Sequence, residues 1–338
     1  MDFKQAYCFD DVLLVPKHSD IKSRSQVDIS SQLDDTRVFK LPVISSPMDT
    51  ITESDMSTAI SKHGGLGVIH RYNTISEQVN LVKQSHGSTG AAIGVTGDFE
   101  DRAIALYEAG ASVLCIDVAH GDHTLMKHAL KRLRSLLGNK IHIMAGNVAT
   151  LRGFENLSEW GADSVRVGIG GGSICSTRLV SGHGMPTFQS VLECSRTTYE
   201  TKIIADGGIR TTGDMVKALA AGADFVMVGS MLAGTKQTPG ETFFGKEGKK
   251  YKVYRGMASS AAQNSWRGKS STPEGVSTTV PFRGGVENIL EDIAGGIRSG
   301  LSYSGARSLE EFRCKADFIR QTNASQVESN THILWRNK

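Results

Sequence analysis

Residues 160–168 of the chain read WGADSVRVG and place a glycine between a helical segment and a run rich in valine. Glycine can adopt the left-handed conformation that closes a helix, and β-branched residues favour strands. The same pattern recurs as EAGASVLCID at residues 108–117 and as AGADFVMVG at residues 221–229. Three helices that each lead through a glycine into a strand predict repeated αβ units and therefore parallel strands.

Five further segments bring the predicted strands to eight, with helices between them. Strands are expected at residues 43–48, 65–70, 90–95, 142–148 and 202–209 and around residues 113, 165 and 225, and helices at residues 53–63, 99–109, 123–137, 150–160 and 212–221. Eight such units close into a (β/α)8 TIM barrel of the α/β class. A doubly wound open sheet is the alternative, but no GxGxxG turn joins a strand to a helix. We expect one catalytic barrel domain over residues 1–338.

A hairpin and flap are predicted to interrupt the barrel after its eighth strand, at about residues 235–282. The hairpin is expected to pair residues 241–244 with residues 251–254 around a turn at residues 245–248. Long insertions at the catalytic face of a barrel are usually lids, although a disordered insert is the alternative. Beyond it we expect helices at residues 285–300 and 308–321 and a polar tail.

Composition and charge point to small-molecule partners. Lys and Arg number 38 against 35 Asp and Glu, for a net charge of +3, so nothing indicates a nucleic-acid partner. The five cysteines are scattered without a CxxC pair, which argues against a disulfide framework and suits a reducing cytosol. No apolar stretch has the length of a signal core or a membrane span. We therefore expect a cytoplasmic protein without a membrane partner.

Residues 170–175, GGGSIC, place the Cys175 thiol in a glycine-rich turn after the sixth predicted strand. Glycines let backbone N–H groups approach an anion, and a thiol beside them suggests covalent catalysis. A packing turn with a structural cysteine is the alternative. Thr177 can orient a hydroxyl or a water toward the same centre. Arg178 is a candidate cation for the thiolate, whereas Arg166 is expected to pair with a carboxylate inside the barrel.

Two late strands end in residues that suit a phosphorylated sugar. Asp206-Gly207-Gly208 and Gly229-Ser230 lie where barrels commonly bind phosphate through backbone amides. The Asp206 carboxylate suits the paired hydroxyls of a ribose. A nucleoside monophosphate would use both features, and a sugar phosphate is the alternative ligand.

Seven segments together resemble the inosine-monophosphate dehydrogenase and guanosine-monophosphate reductase superfamily. In family order they are FDDVLLVP at residues 9–16, SSPMDT at 45–50, AGNV at 145–148, VGIGGGSIC at 167–175, ADGGI at 205–209, VGSMLAG at 228–234 and YRGM at 254–257. They cover nearly the whole chain, which makes the resemblance highly specific.

The resemblance implies a role for individual residues of this chain. Cys175 matches the nucleophile that bonds to purine C2, and Thr177 and Glu274 match the pair that handles the proton of the departing ammonia. The matching nucleotide-binding residues are Ser46, Met48, Ser173, Asp206, Gly208, Gly229, Ser230, Tyr254, Gly256, Met257, Ala258 and Gly275. Those on the side of the nicotinamide cofactor are Arg71, Asp117, Ala119, His120, Gly121, Asn147, Ser299 and Tyr303. The carbonyl groups of Gly170, Gly172 and Cys175 correspond to a potassium site of the dehydrogenase branch, and a homotetramer is implied.

Several features favour the reductase branch. One helix joins residue 74 to residue 90, which leaves no room for the paired regulatory domain that dehydrogenases usually insert there. Residues 260–269 are short for a mobile flap and lack the Arg-Tyr pair whose arginine activates water in the dehydrogenase. Glu274 and Gly275, with the residues at 280–284 and 295–299, resemble the reductase.

Other features resemble the dehydrogenase. GLGVIH at residues 65–70 and SIC at 173–175 are closer to that branch, and residues 270–273, SSTP, replace a Tyr-Arg pair of the reductase.

The expected activity is reductive deamination of GMP to IMP and ammonia with NADPH, through a covalent purine–Cys175 intermediate. The alternatives are an IMP dehydrogenase without a regulatory domain, which uses NAD and forms XMP, and a catalytically silent nucleotide-binding barrel.

Overall fold

Eight parallel strands close into a barrel in the computed structural model, which describes residues 3–329 and residue 331. The strands of the described chain are β1 Val12–Leu14, β2 Ser31–Asp34, β3 Arg37–Phe39, β4 Val43–Ser45, β5 Leu66–Ile69, β6 Thr89–Ile93, β7 Val113–Asp117, β8 His142–Val148, β9 Ser164–Val167, β10 Lys202–Asp206, β11 Phe225–Val228, β12 Phe243–Phe244, β13 Lys250–Arg255, β14 Ser277–Pro281 and β15 Phe318–Arg320. The helices are α1 Ser54–Lys62, α2 Ile75–Gln84, α3 Phe99–Glu108, α4 Thr124–Leu137, α5 Leu151–Trp160, α6 Thr177–Ser181, α7 Thr187–Cys194, α8 Thr212–Ala220, α9 Ser260–Arg267, α10 Glu287–Tyr303, α11 Leu309–Lys315 and α12 Asn323–Glu328.

The barrel consists of β4 to β11 in chain order, and β11 pairs with β4 to close it. Every neighbouring pair in it is parallel, with helices between successive strands. All eight predicted strands are present, so the prediction of a (β/α)8 TIM barrel is confirmed. A single helix, α2, connects β5 to β6.

The three glycines of the repeated pattern adopt the left-handed conformation that the sequence predicts. Gly110, Gly161 and Gly222 have φ values of +97°, +110° and +117° and turn the chain from a helix toward the next strand. Two of these glycines are followed two residues later by an aspartate, Asp163 or Asp224, whose side chain bonds to the preceding strand. The Asp163 carboxylate accepts the backbone N–H of Ile143 at 2.7 Å, and that of Asp224 accepts the N–H of Ile203 at 2.8 Å. Each carboxylate therefore ties its own strand to the start of the preceding one.

The apolar core has two layers. One fills the inside of the barrel and includes Phe225, and the other lies between the strands and the surrounding helices. The hairpin of β2 and β3 contributes Leu33 and Phe39 to the inner layer, and the Phe39 and Phe225 rings meet edge to face at 5.8 Å. Because Phe225 begins its strand, this hairpin covers the amino end of the barrel and leaves the carboxyl end for a cavity.

The insertion after β11 is an ordered unit. β12, β13 and β14 form an antiparallel three-stranded sheet, and α9 lies between the last two strands. A hairpin is present where it was predicted, although its first strand is only Phe243–Phe244 and its second begins at Lys250; the helix and the third strand were not predicted. In the described residues no helix has the length and apolar character needed to cross a bilayer.

The prediction of one helix over residues 308–321 is wrong in its second half. α11 ends at Lys315, Ala316 is extended, and β15 pairs antiparallel with β1. Phe318 packs edge to face against Phe188 at 5.2 Å, which fixes the strand on the barrel exterior. The predicted polar tail contains α12, and residues 330 and 332–338 of that tail lie outside the described residues.

Replacing the glycines of the repeat should separate backbone strain from steric overlap. Gly110→Ala adds a Cβ that meets nothing within 4 Å, so we expect it to cost only the left-handed backbone strain, about 1 kcal/mol. Gly222→Ala puts a Cβ 2.4 Å from Ser195 Cβ and should cost about 1–3 kcal/mol more. Urea unfolding measures both. Gly295→Ala, inside α10 with nothing within 4 Å, is the control and should stabilise slightly. Equal losses at residues 110 and 222 would contradict this account.

Candidate active site

A cavity of about 450 Å³ lies at the carboxyl end of the barrel and is also lined by the insertion. This volume is within the roughly 300–1,000 Å³ of typical small-molecule sites. The predicted site residues that line it are Ser46, Met48, Arg71, Asp117, Ala119, Asn147, Gly170, Gly172, Ser173, Cys175, Thr177, Asp206, Gly208, Gly229, Ser230, Tyr254, Gly256, Met257, Ala258, Glu274 and Gly275.

Four predicted cofactor residues lie outside this cavity. His120 is exposed, and Gly121 is a buried residue of the loop after β7, where its N–H donates to the Asn147 carbonyl at 2.6 Å. Ser299 and Tyr303 lie on α10, which packs on the outside of the barrel against α8, and Tyr303 is 63% exposed. Their role in cofactor binding stays a prediction.

The loop that carries Cys175 is joined to the insertion by backbone hydrogen bonds. The Ser176 N–H donates to the Glu274 carbonyl at 2.9 Å, and the Val276 N–H donates to the Ile174 carbonyl at 3.0 Å. Cys175 and Gly275 therefore face each other in an antiparallel bridge. These bonds place the thiol and Glu274, which are distant in sequence, in one cavity.

The thiol has a neighbouring hydroxyl as its polar partner. The Cys175 Sγ–H donates to Thr177 Oγ1 at 3.2 Å. The Glu274 carboxylate makes no hydrogen bond or ion pair within residues 3–329, so it is available to a ligand or to a proton carried through Thr177. The Arg178 guanidinium donates instead to the Met185 carbonyl at 2.8 Å. Cys175, Thr177 and Glu274 thus bring a thiol, a hydroxyl and a carboxylate together in the cavity.

Two other cysteines are poor nucleophiles. Burial raises the pKa of the Cys115 thiol to about 12, and burial likewise raises the pKa of Cys194 to about 12. A thiol with such a pKa is almost entirely neutral at physiological pH and does not attack carbon.

A buried arginine organises the carboxylates at the barrel mouth. Arg166, on β9, forms ion pairs with Asp117 at the end of β7 and with Asp206 at the end of β10. Burial alone would lower the pKa of Arg166, but the charges of Asp206 and Asp117 raise it well above its ordinary value. The prediction that Arg166 pairs with a barrel carboxylate is confirmed, and it pairs with two.

The Asp206 carboxylate keeps one oxygen for a ligand. Arg166 Nη2 donates to Asp206 Oδ2 at 2.8 Å, and Asn147 Nδ2 donates to the same oxygen at 2.8 Å. No protein group within residues 3–329 donates to Oδ1. Since Asp206 lines the cavity, Oδ1 can accept the hydroxyl groups of a ribose.

The ends of β10 and β11 form a polar corner that suits a phosphate. Gly208 and Gly229 leave the backbone accessible there, and a Cβ on Gly229 would lie 3.2 Å from Met48 Sδ. The Ser173 and Tyr254 hydroxyls are 3.3 Å apart, and Ser230 lines the same wall. Burial raises the pKa of Tyr254, so its hydroxyl stays a hydrogen-bond donor.

An orphaned donor lies across the barrel mouth from this corner. Arg71 Nε is buried, has no hydrogen-bond partner in the described chain and lies 3.9 Å from Asp117 Oδ2. β7 is four strands from β11 in the closed barrel, so Asp117 and Ser230 face each other across it. A ligand group with acceptor oxygens would satisfy Arg71 Nε, and the phosphates and carboxamide of a nicotinamide cofactor have such oxygens.

The potassium ligands predicted from the resemblance are three backbone carbonyl groups. Those of Gly170 and Cys175 accept no hydrogen bond within residues 3–329, and that of Gly172 accepts the Cys175 N–H at 3.1 Å. Carbonyl oxygens suit hard cations, so the donor set fits the ion. Potassium binding stays a prediction.

Tyr72, Gln263 and Arg267 are among the lining residues that were not predicted. Tyr72 and Trp266 stack at 5.9 Å with an interplanar angle of 15°, and the Tyr72 hydroxyl donates to the Met257 carbonyl at 2.9 Å. The stack places α9 over the cavity, where Gln263 and Arg267 join Tyr72 in the lining. The available signal was Ser259, whose side chain accepts the Ala262 N–H and begins the helix.

Comparisons with known proteins agree on one family. A model of the IMP dehydrogenase / GMP reductase domain matches residues 6–332. An inosine-5′-monophosphate dehydrogenase from Cryptosporidium parvum is 36% identical, over 96% of this chain and 94% of that protein. A GMP reductase from Leishmania major is 30% identical, over 96% of each chain. A crystal structure of GMP reductase from Trypanosoma brucei in complex with guanosine 5′-monophosphate superposes with a TM-score of 0.94 and 30% identity, covering 98% of each chain.

The relatives include both branches at similar identity. A dehydrogenase from Nitrosopumilus maritimus is 33% identical over 98% of this chain and 99% of that protein, close to the value for the reductase from Leishmania major. Identity therefore does not separate the two reactions, and the choice between them depends on the residues in the cavity.

Substituting Arg166 should show how much the site depends on this buried cation. Arg166→Met leaves two carboxylates without their partner, and we expect a loss of about 3–5 kcal/mol in the free energy of unfolding. Arg166→Lys keeps the charge but cannot bond to both carboxylates at once, so it should lose less unfolding free energy than Arg166→Met. Urea unfolding at neutral pH compares the variants. Indistinguishable losses for Met and Lys would contradict a mainly electrostatic role.

Proposed function

The chain belongs to the IMP dehydrogenase and GMP reductase family, and from this premise we propose that it is a GMP reductase. It is an oxidoreductase of purine metabolism, in a family that uses a nicotinamide cofactor. The proposed reaction converts GMP to IMP and ammonia with NADPH. The observation that carries the proposal is the 3.2 Å hydrogen bond from Cys175 to Thr177, in one cavity with Glu274, whose carboxylate has no partner within residues 3–329.

The cavity offers a complementary group for each part of a purine nucleoside monophosphate. The phosphate would lie in the corner formed by Ser173, Gly208 and Ser230. The ribose diol would donate to Asp206 Oδ1, and the purine would extend toward Cys175. The structural neighbour from Trypanosoma brucei was solved with guanosine 5′-monophosphate, which supports this choice of ligand.

The proposed chemistry uses covalent catalysis by the thiol. The Cys175 thiolate attacks C2 of GMP and forms a C2–S bond, and the C2–N2 bond breaks as the amine leaves as ammonia. Thr177 and Glu274 transfer a proton to the departing amine. When bound, the cofactor supplies a hydride for C2. The C2–S bond then breaks, which releases IMP and restores the thiolate.

The residues on the far side of the cavity would hold the cofactor. Arg71, with its orphaned Nε, would bind acceptor oxygens, and Asp117, Ala119 and Asn147 line the same region. Asp117 is held in place by Arg166. The choice of NADPH over NADH, the potassium ion, the homotetramer and the cytoplasmic location are further parts of the proposal, carried by the resemblance.

One observation favours the dehydrogenase as the second candidate. Arg267, at the end of α9, lines the cavity, although residues 260–269 lack the Arg-Tyr pair of the dehydrogenase branch. In the dehydrogenase branch an arginine of the insertion activates water for hydrolysis of the covalent intermediate. Arg267 could serve that purpose if water rather than hydride meets the intermediate.

Two substrate mixtures test the branch. We expect GMP with NADPH to give IMP, ammonia and loss of NADPH absorbance, and IMP with NAD to give no XMP. Product analysis by chromatography identifies the nucleotides. XMP formation without turnover of GMP would reverse the assignment. Cys175→Ser should abolish turnover in either mixture, and Glu274→Gln should slow GMP turnover about 100-fold or more while the protein still binds GMP.

Arg267→Gln distinguishes the two branches independently. If Arg267 is the base for water, kcat for IMP oxidation falls about 100-fold or more. The reductase proposal instead expects the change mainly in KM, because no water has to be activated. Lys269→Gln, an exposed change in the same insertion, is the matched control. A large loss of kcat in GMP reduction on Arg267→Gln would contradict the proposed division of roles.

A further inference from the structure

A second cavity of about 230 Å³ adjoins the phosphate corner. The two cavities share part of their lining, because Gly171, Ser173, Gly208 and Ser230 border both. The second cavity is several times larger than the roughly 30 Å³ that one water molecule occupies in the liquid, so a phosphoryl group fits. The second cavity therefore lies directly beside the position proposed for the first phosphate.

The charge of the second cavity is positive. Its lining contains Arg178, Arg210 and one carboxylate, that of Asp10. Arg210 and Asp10 form an exposed ion pair. Arg178 has no carboxylate partner within residues 3–329, and the thiol of Cys8 is kept neutral by a pKa that burial raises further. An anion in this cavity would therefore meet an excess of positive charge.

The fold holds Arg178 at this wall. A Cβ on Gly170 or on Gly184 would lie 2.7 or 2.6 Å from Arg178 Cγ, so both glycines leave room for the arginine side chain. The guanidinium donates to the Met185 carbonyl at 2.8 Å through Nη2. Its other N–H groups have no acceptor in the described part of the chain, and a guanidinium fork suits phosphate oxygens.

We propose that the second cavity receives the β-phosphate of a purine nucleoside 5′-diphosphate. This inference rests on the proposed function, in which the first phosphate lies between Ser173 and Ser230. The purine and ribose of the diphosphate occupy the same positions as those of the monophosphate, and the β-phosphate pairs with Arg178. A nucleoside diphosphate is therefore a ligand that competes with the monophosphate substrate.

Calorimetric titration of the full chain with GMP and with GDP, both without magnesium, tests the proposal. We expect the dissociation constant for GDP to equal that for GMP or to be smaller. Binding of GDP more than about tenfold weaker than GMP would overturn the inference, because a closed phosphate corner rejects an added phosphoryl group. GDP should also inhibit GMP turnover competitively.

Three variants locate the β-phosphate. Arg178→Gln should weaken the binding of GDP relative to that of GMP about tenfold or more, because a charge-assisted hydrogen bond is lost. Arg196→Gln, an exposed arginine near the amino end of the barrel, is the matched control and should leave the ratio of the two constants unchanged. Asp10→Asn removes the carboxylate that lines the second cavity and should lower the dissociation constant for GDP. An unchanged ratio in both the Arg178 and Asp10 variants would overturn the inference.

The outcomes separate this inference from the proposed function. If GMP binds and is reduced while GDP binds poorly, the second cavity has no phosphate role and the reductase proposal stands. If neither GMP nor GDP binds, the proposed function fails together with the inference.

Discussion

A guanidinium buried at the mouth of the barrel must be neutralised, and this requirement shapes the site. Arg166 is on β9, and the carboxylates that pair with it come from β7 on one side and β10 on the other. A buried cation without partners would be strongly destabilising, so both carboxylates are held in fixed positions. One of them, Asp206, lines the cavity with an oxygen, Oδ1, that accepts no hydrogen bond within residues 3–329. The other, Asp117, lines the same cavity beside Arg71, so one ion-pair network fixes carboxylates from two strands around the cavity.

The insertion completes the site because it is bonded to the thiol loop. The hydrogen bonds between residues 174–176 and 274–276 bring Glu274 beside Cys175 and Thr177. The choice between hydride transfer and hydrolysis therefore depends on the side chains that the insertion places over the cavity. Glu274 suits protonation of a leaving amine, whereas Arg267 introduces a second group whose chemistry the substrate and variant experiments separate.

The barrel could be predicted from local sequence patterns, whereas elements that depend on long-range pairing could not. The left-handed glycines and valine-rich runs specify each αβ unit within about ten residues, so all eight strands and most of the cavity lining were predictable. The β15 strand was not, because its partner Val12–Leu14 lies about 300 residues earlier and nothing in its own sequence indicates that pairing. Arg267 was missed for a similar reason, since its place in the cavity depends on the Tyr72–Trp266 stack. Ser299 and Tyr303 were predicted from the resemblance alone, and in this chain they lie on α10 and do not line the cavity.

The stack of Tyr72 on Trp266 also has a spectroscopic consequence. Of the three tryptophans, Trp335 lies outside the described residues. Trp160 is 9% exposed and packs in the helical layer away from the cavity, whereas Trp266 is 37% exposed and stacks on Tyr72, which lines the cavity. Any movement of α9 away from the barrel separates two aromatic rings and changes the polarity around one indole. The intrinsic fluorescence of the protein therefore contains an optical reporter of whether the insertion is seated on the barrel, without an attached dye.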